Sequence, residues 1–177
     1  MTNLELKVRC PDLGLVVDRS LALGASDEGA LEQRDLYFVV RRGRLKLRLE
    51  GERAWLIQYR RPDQAGVRAS SYSLVPMTRQ TAEGVAAALD AALGLGVTVK
   101  KRRRLLLWKH TRIHVDEVEG LGGFVELETV VTDQPLSNAD AECDTVMKAL
   151  GLDRLESVAG SYSDLLAALN RPVERES

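Results

Sequence analysis

Phe124-Val125-Glu126-Leu127-Glu128 places an acid at every second position among apolar residues. As a β-strand it presents Phe124, Glu126 and Glu128 on one face and Val125 and Leu127 on the other. Neighbouring carboxylates repel, so that face is either wet or shares a cation. The opening Leu4-Glu5-Leu6-Lys7-Val8-Arg9 obeys the same rule, with Glu5, Lys7 and Arg9 on one side and Leu4, Leu6 and Val8 on the other. Arg44-Leu45-Lys46-Leu47-Arg48-Leu49-Glu50 repeats it. Three separated strands thus carry one charged and one apolar face each, and the charged faces are expected to meet.

Outward from these strands, residues 3–10 form a first strand ended by Pro11-Asp12, and 12–23 is open between a short helix and a loop. Residues 31–40 have strand composition, Arg42-Gly43 turns into strand 44–50, and Gly51-Glu52 turns into strand 54–61. Residues 62–69 read as a loop and 70–75 as a strand. Residues 79–93 carry Val85, Ala88, Leu89, Ala92 and Leu93 at helical spacing, with Thr81 as the expected cap and Gly94 and Gly96 as the stop. A hairpin of strands 97–108 and 111–118 follows. Glycines 120, 122 and 123 turn into strand 124–132. Pro135 and Ser137 open a helix over 138–150 that Gly151 ends, and a last helix spans 161–169. The expected class is α+β: about eight strands, paired antiparallel, can close into a barrel with flanking helices. Residues 1–170 are expected to form one domain and 171–177 a polar tail.

The 177 residues are 45% hydrophobic and 29% charged, with a net charge of −1. That balance argues against a general nucleic-acid binder. The charges are nevertheless segregated, basic at 41–48, 60–61 and 100–104 and acidic at 116–128. Cys10 and Cys143 imply no disulfide framework, so a cytoplasmic setting is expected. No signal peptide and no membrane span are read in the sequence.

Two constellations could carry chemistry. Lys7, Arg9, Lys46, Arg48, Arg61, Lys101 and Arg103 offer several donors along a phosphate chain. Glu5, Asp116, Glu126 and Glu128 offer the hard oxygen ligands that Mg²⁺ and Mn²⁺ prefer. The pattern alone leaves the alternative that both sets belong to a solvated sheet face with cross-strand ion pairs. In Lys100-Lys101-Arg102-Arg103-Arg104, strand alternation sends Lys101 and Arg103 one way and the other three the opposite way. His114 shares parity with Asp116 and could orient a carboxylate or carry a proton.

Taken together, the segments NLELKVR, QRDLYF, GRLKLR, YRRPD, KKRRRLLL, IHVDEVEGLGGFVELE and SYSDLL, in this order from residue 3 to about 166, resemble the CYTH family. The members are also called triphosphate tunnel metalloenzymes, and the chain most resembles those like class IV adenylyl cyclases. The resemblance implies an eight-stranded antiparallel barrel around a charged tunnel, in which Mg²⁺ or Mn²⁺ and a triphosphate such as ATP or inorganic triphosphate are bound. It assigns Glu5, Lys7, Lys46, Arg48 and Asp116 to the reaction. Lys7, Arg9, Lys46, Arg48, Arg61, Lys101 and Arg103 go to the phosphates, and Glu5, Asp116, Glu126 and Glu128 to the metal. The implied activity is conversion of ATP to cyclic AMP and pyrophosphate. The alternatives are a triphosphate phosphohydrolase, a non-catalytic polyphosphate-binding module, or an organic-diphosphate enzyme. Asn3 replaces the first Glu of the family's E-x-E-x-K signature and removes one carboxylate. A homodimer is compatible with the sequence.

Overall fold

The computed structural model describes residues 2–60, 68–131 and 135–169, with Thr2 and 68–71 in backbone only. Eight strands run β1 (Thr2–Arg9), β2 (Ser26–Phe38), β3 (Arg44–Glu50), β4 (Arg53–Arg60), β5 (Arg68–Thr78), β6 (Leu95–Trp108), β7 (Thr111–Val118) and β8 (Gly122–Val130). Among the described residues four α-helices accompany them: α1 (Leu13–Ala22), α2 (Arg79–Leu93), α3 (Leu136–Leu150) and α4 (Tyr162–Leu169). The strands close into an antiparallel barrel in the order β1-β5-β4-β3-β2-β6-β7-β8. Closure comes from β1, which pairs with β5 on one side and β8 on the other. Among the described residues no helix is long and apolar enough to cross a membrane.

Alternation along each strand creates two environments. The outward apolar residues form two clusters under the helices. Leu6, Val8, Leu106, Ile113, Val115, Val125 and Leu127 pack with Val16 and Val17 of α1 and with Cys143, Val146 and Leu150 of α3. Leu36, Phe38, Leu47 and Leu49 pack beneath Ala82, Ala86 and Leu89 of α2. The third cluster joins Tyr37, Tyr59, Val99 and Phe124 of the barrel to Tyr162, Leu165 and Leu166 of α4. α4 therefore closes one end. It is delivered there by a short stretch beside the end of β1, where Arg9 N–H donates to the Glu156 carbonyl and Val158 N–H to that of Lys7.

Several local expectations are corrected. Residues 12–23, open between helix and loop, are resolved as helix α1, because the Asp12 carboxylate accepts from Leu15 N–H and satisfies an orphan donor of the first turn. Thr78, not Thr81, caps α2: its hydroxyl accepts from Thr81 N–H. Gly94 ends that helix, whereas Gly96 lies inside β6. β2 starts at Ser26 and carries an irregularity between Asp27 and Ala30. β5 takes in Arg68 and Ala69, read from sequence as loop. Residues 61–67, which include Arg61, lie outside the described residues, as do 171–177 and the end of the predicted strand at 132. Gly151 and Gly123 are structurally required. Gly151 ends α3 at φ 72°, the left-handed region. At Gly123 a Cβ would fall 2.4 Å from the Cys10 carbonyl oxygen, at a crossing where Cys10 N–H donates to Gly123.

Candidate functional site

The inward faces meet around a cavity of about 320 Å³. Lys7, Lys46, Arg48, Lys101, Arg103 and Arg112 line it together with Glu5, Asp35, Glu50, Glu126 and Glu128. The remaining wall includes Gln33, Tyr37, Tyr59, His114 and Tyr162, with Leu31, Ile57, Leu74 and Leu105 as an apolar portion. Leu74 is 45% exposed and marks an open side.

Two buried aspartates organise the cations. Asp35 faces Arg48 across the β2–β3 ladder. Its Oδ1 accepts from Arg48 Nε at 2.7 Å, and its Oδ2 accepts from Arg48 Nη2 and Lys46 Nζ, both at 2.8 Å. Asp116 faces Arg103 across the β6–β7 ladder. Its Oδ1 accepts from Arg103 Nε at 2.6 Å. Its Oδ2 accepts from Arg103 Nη2 at 2.5 Å, Lys101 Nζ at 3.1 Å and the Tyr162 hydroxyl at 2.9 Å. Each aspartate thus binds an arginine bidentately and gathers the lysine two residues earlier on the same strand. Burial opposes ionisation of both carboxyls. The Arg48 and Lys46 cations win at Asp35, and those of Arg103 and Lys101 at Asp116, so both stay well below the usual carboxylate range. Burial and the adjacent Arg48 charge bring Lys46 down to about 7. Burial and Arg103 bring Lys101 down to about 8.

The acidic wall comes from β8 and β1. Lys7 pairs with Glu126 at 2.9 Å, and Glu126 also holds Arg103 at 2.6 Å. The Lys7 ammonium lies 4.0 Å from the centre of the Tyr162 ring and donates to the Gly160 carbonyl at 3.3 Å. Glu5 stands opposite Glu128 in the β1–β8 register. Burial, with the neighbouring Glu5 and Glu126 charges, pushes the Glu128 carboxyl up. Carboxylates held together at such a cost are a donor set that suits a divalent cation. Among the described residues, however, no three His, Cys, Asp or Glu side chains converge closely enough to hold one alone. Oxygens from elsewhere, such as phosphate, would complete the coordination.

The cavity brings together Glu5, Lys7, Lys46, Arg48, Lys101, Arg103, Glu126 and Glu128 from the sequence-predicted sets. Asp116 is fully buried beneath the cavity wall with both oxygens occupied by cations and Tyr162. Arg9 does not line the cavity. It is exposed at the strand end, stacks on Phe124 at 4.8 Å and donates to the Leu121 carbonyl. Asn3 is buried beyond Glu5, with its amide nitrogen 3.5 Å from the Tyr72 hydroxyl. Sequence reasoning missed Gln33, Asp35, Glu50 and Arg112. Parity would have found Arg112, which alternates with His114 and Asp116. Asp35 gave no comparable signal, since Leu36, Tyr37 and Phe38 after it are all buried.

The family model for the CYTH domain matches residues 1–162. The chain belongs to the CYTH family. No curated protein sequence matches it. Its CYTH barrel is similar to the PH1012 protein of Pyrococcus horikoshii, with TM-score 0.77 at 20% identity over 92% of this chain and 98% of that one. It is also similar to a conserved hypothetical protein of Pyrococcus furiosus, with TM-score 0.75 at 23% identity over 92% and 99%. The Hippeastrum protein HpAC1, named for adenylyl cyclase and reported with a dominant triphosphatase activity, superposes with TM-score 0.69 at 14% identity over 98% and 97%. At these identities the likeness establishes the shared CYTH fold.

Proposed function

We propose that this CYTH protein acts on the phosphate chain of a nucleoside triphosphate with Mg²⁺ or Mn²⁺ as cofactor. The observation that carries this reading is the pair of aspartate clamps, which aim two Lys-x-Arg pairs into one cavity with Lys7 and Arg112. Donors fixed before the substrate arrives need no reorganisation as charge develops at phosphorus. Lys7, Lys46, Arg48, Lys101 and Arg103 bind and align the phosphates. Asp35 and Asp116 hold the cations in place, which makes Asp116 a positioning residue rather than a metal ligand. Glu5, Glu126 and Glu128 are the carboxylates that would hold the cation. When bound, it would neutralise phosphate charge and polarise the attacked phosphorus.

The apolar wall of Leu31, Ile57, Leu74 and Leu105 gives an organic group a place to sit, which inorganic triphosphate does not need. This favours cyclisation: the 3′-hydroxyl of ATP attacks the α-phosphorus, its proton is released, and pyrophosphate leaves. A triphosphatase is the second reading, favoured by the activity of the Hippeastrum protein on the same fold. ³¹P NMR of the protein with ATP or inorganic triphosphate and Mg²⁺ tests both. Pyrophosphate with a cyclic phosphodiester signal supports the cyclase, orthophosphate supports the triphosphatase, and unchanged spectra in both tubes overturn the enzymatic reading.

A further inference from the structure

His114 is a buried titratable group of the cavity wall that the proposed chemistry leaves unused. Its side chain is 7% exposed. It stands opposite Glu126 in the β7–β8 ladder, one inward position from Glu128. Its Nδ1 is buried with no hydrogen-bond partner among the described residues. An unpaired buried nitrogen is costly, so a ligand that satisfies it stabilises the site. The nearest carboxylate atom, Glu128 Oε1, is 3.9 Å away. That is too far for a hydrogen bond, yet metal–ligand bonds of about 2.0–2.2 Å to each atom span it.

We propose that His114 Nδ1 and Glu128 form a mixed nitrogen–oxygen site for the divalent cation that enters the cavity bound to the phosphate chain. This rests on the proposed polyphosphate chemistry and adds to it a ligand of a different kind. Asn3 removes a carboxylate from the expected donor set, and His114 contributes an imidazole in another part of it. A nitrogen ligand moves preference along the series from Mg²⁺ towards Mn²⁺ and Co²⁺. Phosphate oxygens and water would complete the cation's shell, in keeping with described residues that offer no closed cage.

The test is pulsed electron paramagnetic resonance of Mn²⁺ with inorganic triphosphate on the full chain. The expected spectrum carries ¹⁴N modulation that changes to that of ¹⁵N when the protein is produced with ¹⁵N-histidine. This labelling needs no substitution and leaves the barrel's sequence unchanged. The chain has two histidines, and His110 instead contacts Glu142 on the surface. The signal is therefore expected to survive His110→Ala and to vanish in His114→Gln. Bound Mn²⁺–triphosphate without nitrogen modulation, or modulation indifferent to the histidine label, overturns the His114 site alone. Failure of Mn²⁺–triphosphate to bind in equilibrium dialysis overturns it together with the polyphosphate reading.

Discussion

At Asp116 a carboxylate of the expected acidic set meets two buried cations. Its parity put it with the acidic set, but depth placed it under Arg103 and Lys101, where it is their counter-ion. Asp116→Asn is expected to lower unfolding free energy by about 3–5 kcal/mol, because it leaves buried cations unpaired. Chemical denaturation checks this, and unchanged stability would remove the counter-ion role. The two lysines set a pH dependence. A bound phosphate chain favours their charged forms, so the complex holds more protons than the free protein. Affinity for inorganic triphosphate is expected to fall as pH rises through about 7 for Lys46 and about 8 for Lys101. Calorimetry in buffers of different ionisation enthalpy should show proton uptake across that window, and none would contradict the assignment. For folding the sign reverses. The unfolded Lys46 keeps its proton up to 10.5, so between about 7 and 10.5 this group favours the folded state as pH rises. Most of the cationic site was legible because alternation reports which face a side chain takes. It does not report depth along the barrel, and Arg9, on the same face as Lys7, lies exposed at the strand end away from the cavity. Asp35 was hidden because β2 is buried on both faces at 35–38, which erases the alternation.

At the scale of elements, strands 44–50 and 111–118 appear where their charge alternation and turn glycines put them. Helix starts were harder, because capping depends on one hydrogen bond that several nearby residues could make. Thr78 and Thr81 are both adequate caps by composition, and their hydroxyls lie 3.0 Å apart. The backbone turns helical at Arg79, which gives the cap to Thr78. Thr78→Ala is expected to cost about 1 kcal/mol and Thr81→Ala less, measured by thermal or denaturant unfolding. The reverse order would contradict the cap assignment. α3 has no side-chain cap and is tied to the barrel instead. Glu142 accepts from His110 N–H at 2.9 Å and from the Thr111 hydroxyl at 2.7 Å.

For the whole molecule, the decisive feature is that charge faces inward and hydrocarbon outward, the reverse of a small apolar-cored barrel. The helices then become the cover of the true hydrophobic core, and α4 stops one end of the cavity with Tyr162. Sequence patterns reported the two faces of each strand but not the closure of β1 onto both β5 and β8, which is a long-range pairing. The central claim is that the inward-facing cations bind a polyphosphate. Calorimetric titration of inorganic triphosphate into the wild-type protein, Lys46→Ala and Arg102→Ala tests it most directly. Arg102 alternates with Arg103 and is exposed on the outer face of β6. The predicted result is binding by wild type and Arg102→Ala alike, with affinity for Lys46→Ala lower by at least about tenfold, the loss of one charge-assisted hydrogen bond. Equal affinity in all three proteins, or a loss confined to Arg102→Ala, would contradict the account.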